Sequence, residues 1–262
     1  MSPPTVLNSA SARPGRHTAR FVPVPALDRD TRERMCALYL ANYDGSSAAL
    51  FHHDLDGKEE ALLVWHDAQL VGFTTLRLFD HDWHGQRLRI VYSGDTVVDR
   101  AHWGQQALAF AWIRRMGAIK RACPDRPLYW LLLVKGHRTY RYLPAFARDF
   151  YPHWRAPHDE LKPLVDALAT RMFATDYRPA SGLIEFPTSH GHLKADLAQP
   201  APDELARDSV RFFLARNPGY TRGHEMVCLC AIEPENLKPL TRRLFEKDAL
   251  ATNTQAGRAD AR

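Results

Sequence analysis

Seven consecutive apolar residues, Leu128-Tyr-Trp-Leu-Leu-Leu-Val134, stand between Pro127 and the polar run Lys135-Gly-His-Arg138. A short run with no polar position reads as a strand buried on both faces, which requires a sheet covered by helices on each side. Upstream, segment 87–98 (Arg-Leu-Arg-Ile-Val-Tyr-Ser-Gly-Asp-Thr-Val-Val) reads as a second strand. Between the two lies a helical pattern over 103–121, with Leu108, Trp112, Met116 and Ile119 spaced by four and three. Strand, helix and strand in that order make a βαβ unit, whose parallel strands open their carboxyl ends on one edge. Ligands of open α/β sheets gather outside that edge. A site is therefore expected at the turns that follow residues 98 and 134.

The rest of the chain fits around this unit. Ahead of it the pattern gives a strand over 21–25 and a helix over 28–43 capped by Asp28 or Asp30. A short helix or loop at 51–56, a strand at 60–66 and a tight turn at Asp67-Ala-Gln69 follow, then a strand over 70–79 that pairs back as a hairpin. A polar loop, 80–86, completes an antiparallel meander of three strands. After the unit come a helix over 139–150 interrupted at Pro144, a helix over 161–173, a short strand at 182–186 and a patternless loop, 190–202. A helix over 203–214, a strand over 225–232 and a helix over 237–245 close the pattern. The polar ends, 1–20 and 251–262, are expected to be disordered. One domain over 21–250 is expected, with a core at about 30–152 plus 218–250 and a helical insertion at 153–217.

A chain of 262 residues can bury one substantial core. No apolar run approaches the roughly 18 residues of a membrane span, so a soluble, cytoplasmic protein without a membrane partner is expected. The net charge of +5 is spread over Arg114, Arg115, Lys120 and Arg121 on one helix and Arg138 and Arg141 on another. Such a surface suits anionic ligands, acidic carrier proteins or tRNA, although no zinc finger, RNA-recognition or helix-turn-helix pattern is present. The four cysteines lack CxxC spacing and read as reduced core residues. The histidine clusters at 52–53, 81–84 and 190–192 match no ligand spacing, so no metal is expected.

The element order, with an antiparallel meander, a helix, a central strand, a helix and a late strand, resembles the GNAT superfamily of N-acetyltransferases. The resemblance implies an α/β (α+β) fold: a mixed, mostly antiparallel twisted sheet with flanking helices, here carrying an inserted helical segment. In that family the meander's last strand is bulged and ends near a Val-x-Pro-x-x-Arg-Gly-x-Gly-x-Gly/Ala loop. The loop's amides hold the pyrophosphate of acyl-CoA at a helix N-terminus. The matching stretch here is Val98-Asp-Arg-Ala-His-Trp-Gly104-Gln-Gln-Ala107-Leu108. Gly104 stands at the first glycine position and Gln106 at the next; the last is filled only if Ala107, shifted by one, serves. The resemblance thus places acetyl-CoA or another acyl-CoA against Val97, Val98, Trp103, Gly104, Gln105, Gln106 and Ala107. Lys135 and Arg138 supply charge for a phosphate. The glycine-poor loop also admits phosphopantetheine on an acyl carrier protein as the donor.

Acyl transfer to an amine needs a base for the ammonium and an acid for the leaving thiolate. Asp95, a carboxylate on a mostly apolar strand, is the candidate base, and strand alternation places it on one face with Val91, Ser93 and Val97. His137 is an alternative base. By resemblance Tyr140, then Tyr142, is the general acid, and residues 42–45 with the histidine-rich loop line the acceptor pocket. The expected function is an N-acyltransferase acting on a small-molecule amine. A non-catalytic ligand-binding or interaction module of the same fold, and an aminoacyl-tRNA-dependent transferase, are the alternatives; a homodimer is left open.

Overall fold

The computed structural model describes residues 15–156 and 159–247. Most of the expected N-terminal arm (1–14) and the expected tail at 251–262 lie outside them. In chain order the first half comprises β1 (His17–Pro23), α1 (Arg29–Asn42), β2 (Tyr43–Asp44), α2 (Ala48–Asp56), β3 (Glu60–His66), β4 (Gln69–Trp83), β5 (Gln86–Val98), α3 (Ala107–Ala122) and β6 (Leu128–Val134). The second half comprises α4 (His137–Tyr140), α5 (Tyr142–Phe146), α6 (Lys162–Phe173), β7 (Tyr177–Arg178), β8 (Leu183–Ile184), β9 (His192–Leu193), α7 (Ala195–Ala198), α8 (Pro202–Leu205), α9 (Asp208–Arg216), β10 (Glu225–Ala231) and α10 (Pro239–Glu246).

The main sheet runs β1-β3-β4-β5-β6-β10-β8-β7. Every pairing in it, among the described residues, is antiparallel except β5 with β6. The meander, the parallel partner and the late closing strand therefore stand in the expected order. β6 lies between β5 and β10 and is covered on both sides: Trp130 and Leu132 pack beneath α3 with Trp112 and Met116, while Leu131 faces Val165 and Leu168 of α6. On the meander, Leu63 and Phe73 pack against Met35, Tyr39 and Phe51 of α1 and α2. Trp130, buried in this sheet, donates its indole N–H to Ser93 Oγ at 2.7 Å, so its one polar atom is satisfied.

Several boundaries differ from the sequence pattern for physical reasons. The first strand begins at His17, inside the segment expected to be a disordered arm, because seven consecutive pairings with β3 run from His17↔His66 to Pro23↔Glu60. The polar stretch 80–86 is not a loop. β4 and β5 extend as a twisted ribbon to Trp83↔Gln86, joined by His84 and Gly85, both at positive φ (47° and 78°), as a primed two-residue hairpin turn requires. The helix expected from Trp103 starts at Ala107, since Gly104 at φ +87° turns the chain just before it. The helix expected over 139–150 is two short pieces that meet at Arg141 rather than at Pro144.

The 153–217 segment is not purely helical. β8 pairs with β10 at the sheet edge, and β9 pairs with β2, so the insertion is tied to the core at two places. Cys36, Cys228 and Cys230 are buried thiols and Cys123 is partly buried; all four are free. No helix among the described residues is long and apolar enough to cross a membrane.

Candidate active site

The parallel pairing of β5 with β6 ends at Ser93↔Leu132. Beyond it β5 stays with β4, up to Gly72↔Val98, while β6 stays with β10 at Met226↔Val134. The two strands thus separate at their carboxyl ends, and a cavity opens on either side of the gap. A cleft of about 610 Å³ lies on the α3 side and a cavity of about 450 Å³ on the α1 side. Tyr43, Thr96 and Thr139 line both and mark where they meet.

A bulge shapes this junction. Thr74 faces Thr96 and Leu76 faces Ser93, so Gly94 and Asp95 together stand opposite Thr75 alone. Gly94 gives room here: a Cβ would strike Thr75 Oγ1 and come within 2.6 Å of Lys58 Cε. The extra residue also resets the alternation. Val91 packs in the core beneath α3, whereas Val97 packs with Phe51 and Phe73 beneath α1 and α2. The expectation that Asp95 shares one face with Val91, Ser93 and Val97 is thereby corrected.

Asp95 lines the 450 Å³ cavity among Tyr39, Tyr43, Tyr92, Asp54, Lys135 and Glu225. Two of the cavity's other carboxylates are engaged: Lys58 Nζ lies 2.5 Å from Asp54 Oδ2, and Lys135 Nζ lies 3.2 Å from Glu225 Oε1. Asp95 makes no ion pair or side-chain hydrogen bond among the described residues. Burial pushes its carboxyl up to about 6, against the opposing pull of Lys135 and with help from Asp54. The same burial pushes the Tyr39 phenol up to about 12, so the cavity's tyrosines are neutral hydroxyls at neutral pH. An unpaired carboxylate of raised pKa in an aromatic cavity is a fitting counter-ion and base for an ammonium.

The 610 Å³ cleft is of different character. Ala109, Phe110 and Ile113 of α3 form one wall, Tyr142, Ala145 and Phe146 another, and Leu240 and Leu244 of α10 close it. Val97, Val98, Trp103, Gly104, Gln105, Gln106 and Arg138 line it as well, so most of the residues assigned to the donor do come together. Gly104 has open space around its Cα: a Cβ placed there would meet no atom within 4 Å. Trp103 donates its indole N–H to Val98 O at 2.9 Å, and the Arg138 guanidinium lies 4.4 Å from the Trp103 ring centroid. The amides of Ala107 and Leu108 at the start of α3, however, already donate to Gln105 Oε1, at 2.6 and 3.3 Å. The loop therefore offers a diphosphate an open glycine turn and flanking arginines, but its first helical amides are capped from within.

Three assignments need correction. Lys135 belongs to the other cavity, where Glu225 and the Tyr43 ring hold it, and it does not line the donor cleft. Tyr140 is fully buried among Phe150, Trp154, Phe212 and Phe213, and its hydroxyl donates to Pro152 O at 2.7 Å. It lines neither cavity and is a core residue, not the acid. His137 is also fully buried, with Nε2 3.1 Å from Glu204 Oε2, and burial lowers its pKa. It is not a base of the acceptor cavity.

No family model and no curated protein matches the sequence. Among solved structures the chain is similar to a probable N-acyltransferase from Enterococcus faecalis, at 15% identity and TM-score 0.39, over 51% of this chain and 33% of that one. It is also similar to a GNAT family N-acetyltransferase from Escherichia coli in complex with CoA, at 17% identity and TM-score 0.38, over 52% of this chain and 71% of that one. A third is ribosomal-protein-alanine N-acetyltransferase from Brucella melitensis, at 18% identity and TM-score 0.39, over 51% and 92%. The match thus spans a third of the length of the Enterococcus protein. Likeness at this level says nothing of activity, for which this chain's own residues must speak.

Sequence reasoning missed Glu225 and Glu204, while Tyr43, within the 42–45 stretch expected at the acceptor pocket, does line the α1-side cavity. Glu225 opens an otherwise apolar strand, and a lone acid in that position is a signal for a buried partner. Glu204 is reached by His137, Arg138 and Arg141 across more than 60 residues of chain, and no local pattern announces it. The histidines that meet are likewise not those adjacent in sequence. His17, from β1, lies 3.0 Å from His102 and packs against His66; its pKa is lowered by burial and by these two neighbouring rings.

Proposed function

We propose that the chain is an N-acyltransferase in which the α3-side cleft takes a thioester donor and the α1-side cavity takes the amine. Asp95 is the base. The observation that carries this reading is the unpaired Asp95 carboxylate, its pKa raised by burial, one residue from the junction where the two cavities meet.

The amine enters as an ammonium and pairs with Asp95, with Tyr39 and Tyr92 giving it neutral aromatic walls. Asp95 takes one proton, and the freed amine attacks the thioester carbonyl at the junction. The N–C bond forms and the C–S bond breaks; the thiolate leaves with a proton supplied by a hydroxyl of the cleft, and that hydroxyl is reprotonated by the surplus proton of the attacking nitrogen. Tyr142 lines the donor side, and Tyr43 lines both sides. These two replace Tyr140 as the acids to be tested. Acetyl-CoA or another acyl-CoA suits the cleft as donor, with Arg138 and Arg141 beside the phosphates; a carrier-bound phosphopantetheine thioester has the same reactive end. A small-molecule amine suits a cavity of about 450 Å³.

The test is thiol release from acetyl-CoA and from octanoyl-CoA, followed with and without a panel of primary amines. Thiol release that depends on the amine, with the acylated amine identified by mass, supports the reading. Absence of amine-dependent release with every pair, from a protein that still unfolds cooperatively, removes it.

A further inference from the structure

β6 and β10 pair antiparallel up to Met226↔Val134, so the next residues along the ladder, Glu225 and Lys135, come together at its end. Both line the α1-side cavity, and their side chains meet at 3.2 Å, Nζ to Oε1. Burial works against the Lys135 ammonium, and Glu225 leads the groups that outweigh it. Among the described residues lining this cavity there is one lysine and no arginine, so its one permanent cation is already engaged. Lys58, over the Tyr92 ring at 5.6 Å, is held in the same way by Asp54 O and Oδ2, at 3.1 and 2.5 Å. Four carboxylates line the cavity, Asp54, Asp95, Asp176 and Glu225, and the two lysines pair with only two of them. The charge left over is negative.

An α-amino acid carries its ammonium and its carboxylate on one carbon. Its ammonium fits beside Asp95, but its carboxylate would meet acids and no uncommitted cation, and a charge buried without a partner is costly. The same amine without the carboxylate escapes that cost. We propose that the acceptor is a primary amine bearing no carboxylate, the kind left when an α-amino acid loses CO2, and that Glu225 sets this specificity by neutralising Lys135. The proposal rests on the reading of this cavity as the amine site. Glu225 acts through Lys135: without the Glu225 charge, the freed ammonium becomes a receptor for a substrate carboxylate.

The measurement is calorimetric titration with pairs that differ only in the carboxylate: 2-phenylethylamine and L-phenylalanine, 3-methylbutylamine and L-leucine, 1,5-diaminopentane and L-lysine. It is made at about pH 8, where an ordinary imidazole is neutral, since His190 also lines the cavity. Wild type is expected to bind at least one amine about a hundredfold tighter than its amino acid, the order of the penalty for an unpaired buried charge. Glu225→Gln is expected to bind that amino acid about tenfold tighter than wild type does, the gain of one hydrogen bond to a charged group. Glu225→Asp, which keeps the charge, is expected to show no such gain. A merely structural Glu225 would lower both affinities together. An amino acid that binds wild type as tightly as its amine overturns the proposal, and so does failure of every amine to bind. A folded Glu225→Gln protein that still rejects the amino acid overturns the role of Glu225; Glu225→Ala takes its place if Glu225→Gln does not fold. Amine binding without amine-dependent thiol release from acetyl-CoA removes the transfer reading and leaves the selectivity standing.

Discussion

Lys135, the residue after β6, and Glu225 of β10 form a largely buried ion pair, with Nζ and Oε1 3.2 Å apart and the ammonium 5.6 Å from the Tyr43 ring centroid. The pair leaves the Asp95 carboxylate uncommitted beside it. Breaking one side of a buried pair strands the other charge, at a cost of about 3–5 kcal/mol. Lys135→Met should lower stability by about that amount in denaturant titrations, and Lys135→Met with Glu225→Leu should recover most of it. A Lys135→Met protein as stable as wild type would mean that the pair is solvated rather than buried.

Asp95 makes stability depend on pH in a direction opposite to most carboxylates. Burial raises its pKa from an ordinary 3.8 to about 6, so the folded state holds the proton more tightly than the unfolded chain does. Its stabilising contribution is complete below about pH 4 and is lost as pH rises through 6. Asp95→Asn lacks this loss. Its stability relative to wild type should grow between pH 4 and pH 7, by up to about 3 kcal/mol. A difference that stays flat over this range would show that Asp95 is solvated and unshifted.

Tyr140→Phe removes only the buried hydroxyl that meets Pro152 O. It should cost about 1–3 kcal/mol in stability, as an unsatisfied buried acceptor does, and leave turnover within about twofold of wild type, the small effect expected where no proton transfer is lost. Tyr142→Phe and Tyr43→Phe are the informative comparisons. A large loss of turnover in Tyr140→Phe at unchanged stability would return it to the catalytic role that its burial denies.

The fold was legible where periodicity and burial coincide. The apolar run of β6 announced a strand covered on both faces, and the spacing of Leu108, Trp112 and Met116 announced α3. Asp95 was legible as a misplaced carboxylate. The rest depended on tertiary contacts with no local signature. Strand alternation placed Asp95 by counting in twos, and one bulged residue defeats that count. Tyr140 and Tyr142 look alike in sequence, yet α4 turns one hydroxyl to Pro152 while α5 brings the other to the cleft. The glycine-poor loop signalled trouble for a diphosphate, but not that Gln105 would fill the helix end with its own side chain.

The central claim is that Asp95 removes the proton from the amine. Its most direct test is the pH dependence of kcat/KM for amine-dependent thioester consumption in wild type and Asp95→Asn, at saturating donor. The wild-type profile should rise through an apparent pKa near 6, the value set by burial of Asp95. In Asp95→Asn that rise should vanish and the plateau should fall by about 10²–10⁴-fold, the usual contribution of a positioned base. An Asp95→Asn profile that keeps both the rise and the plateau would contradict the account.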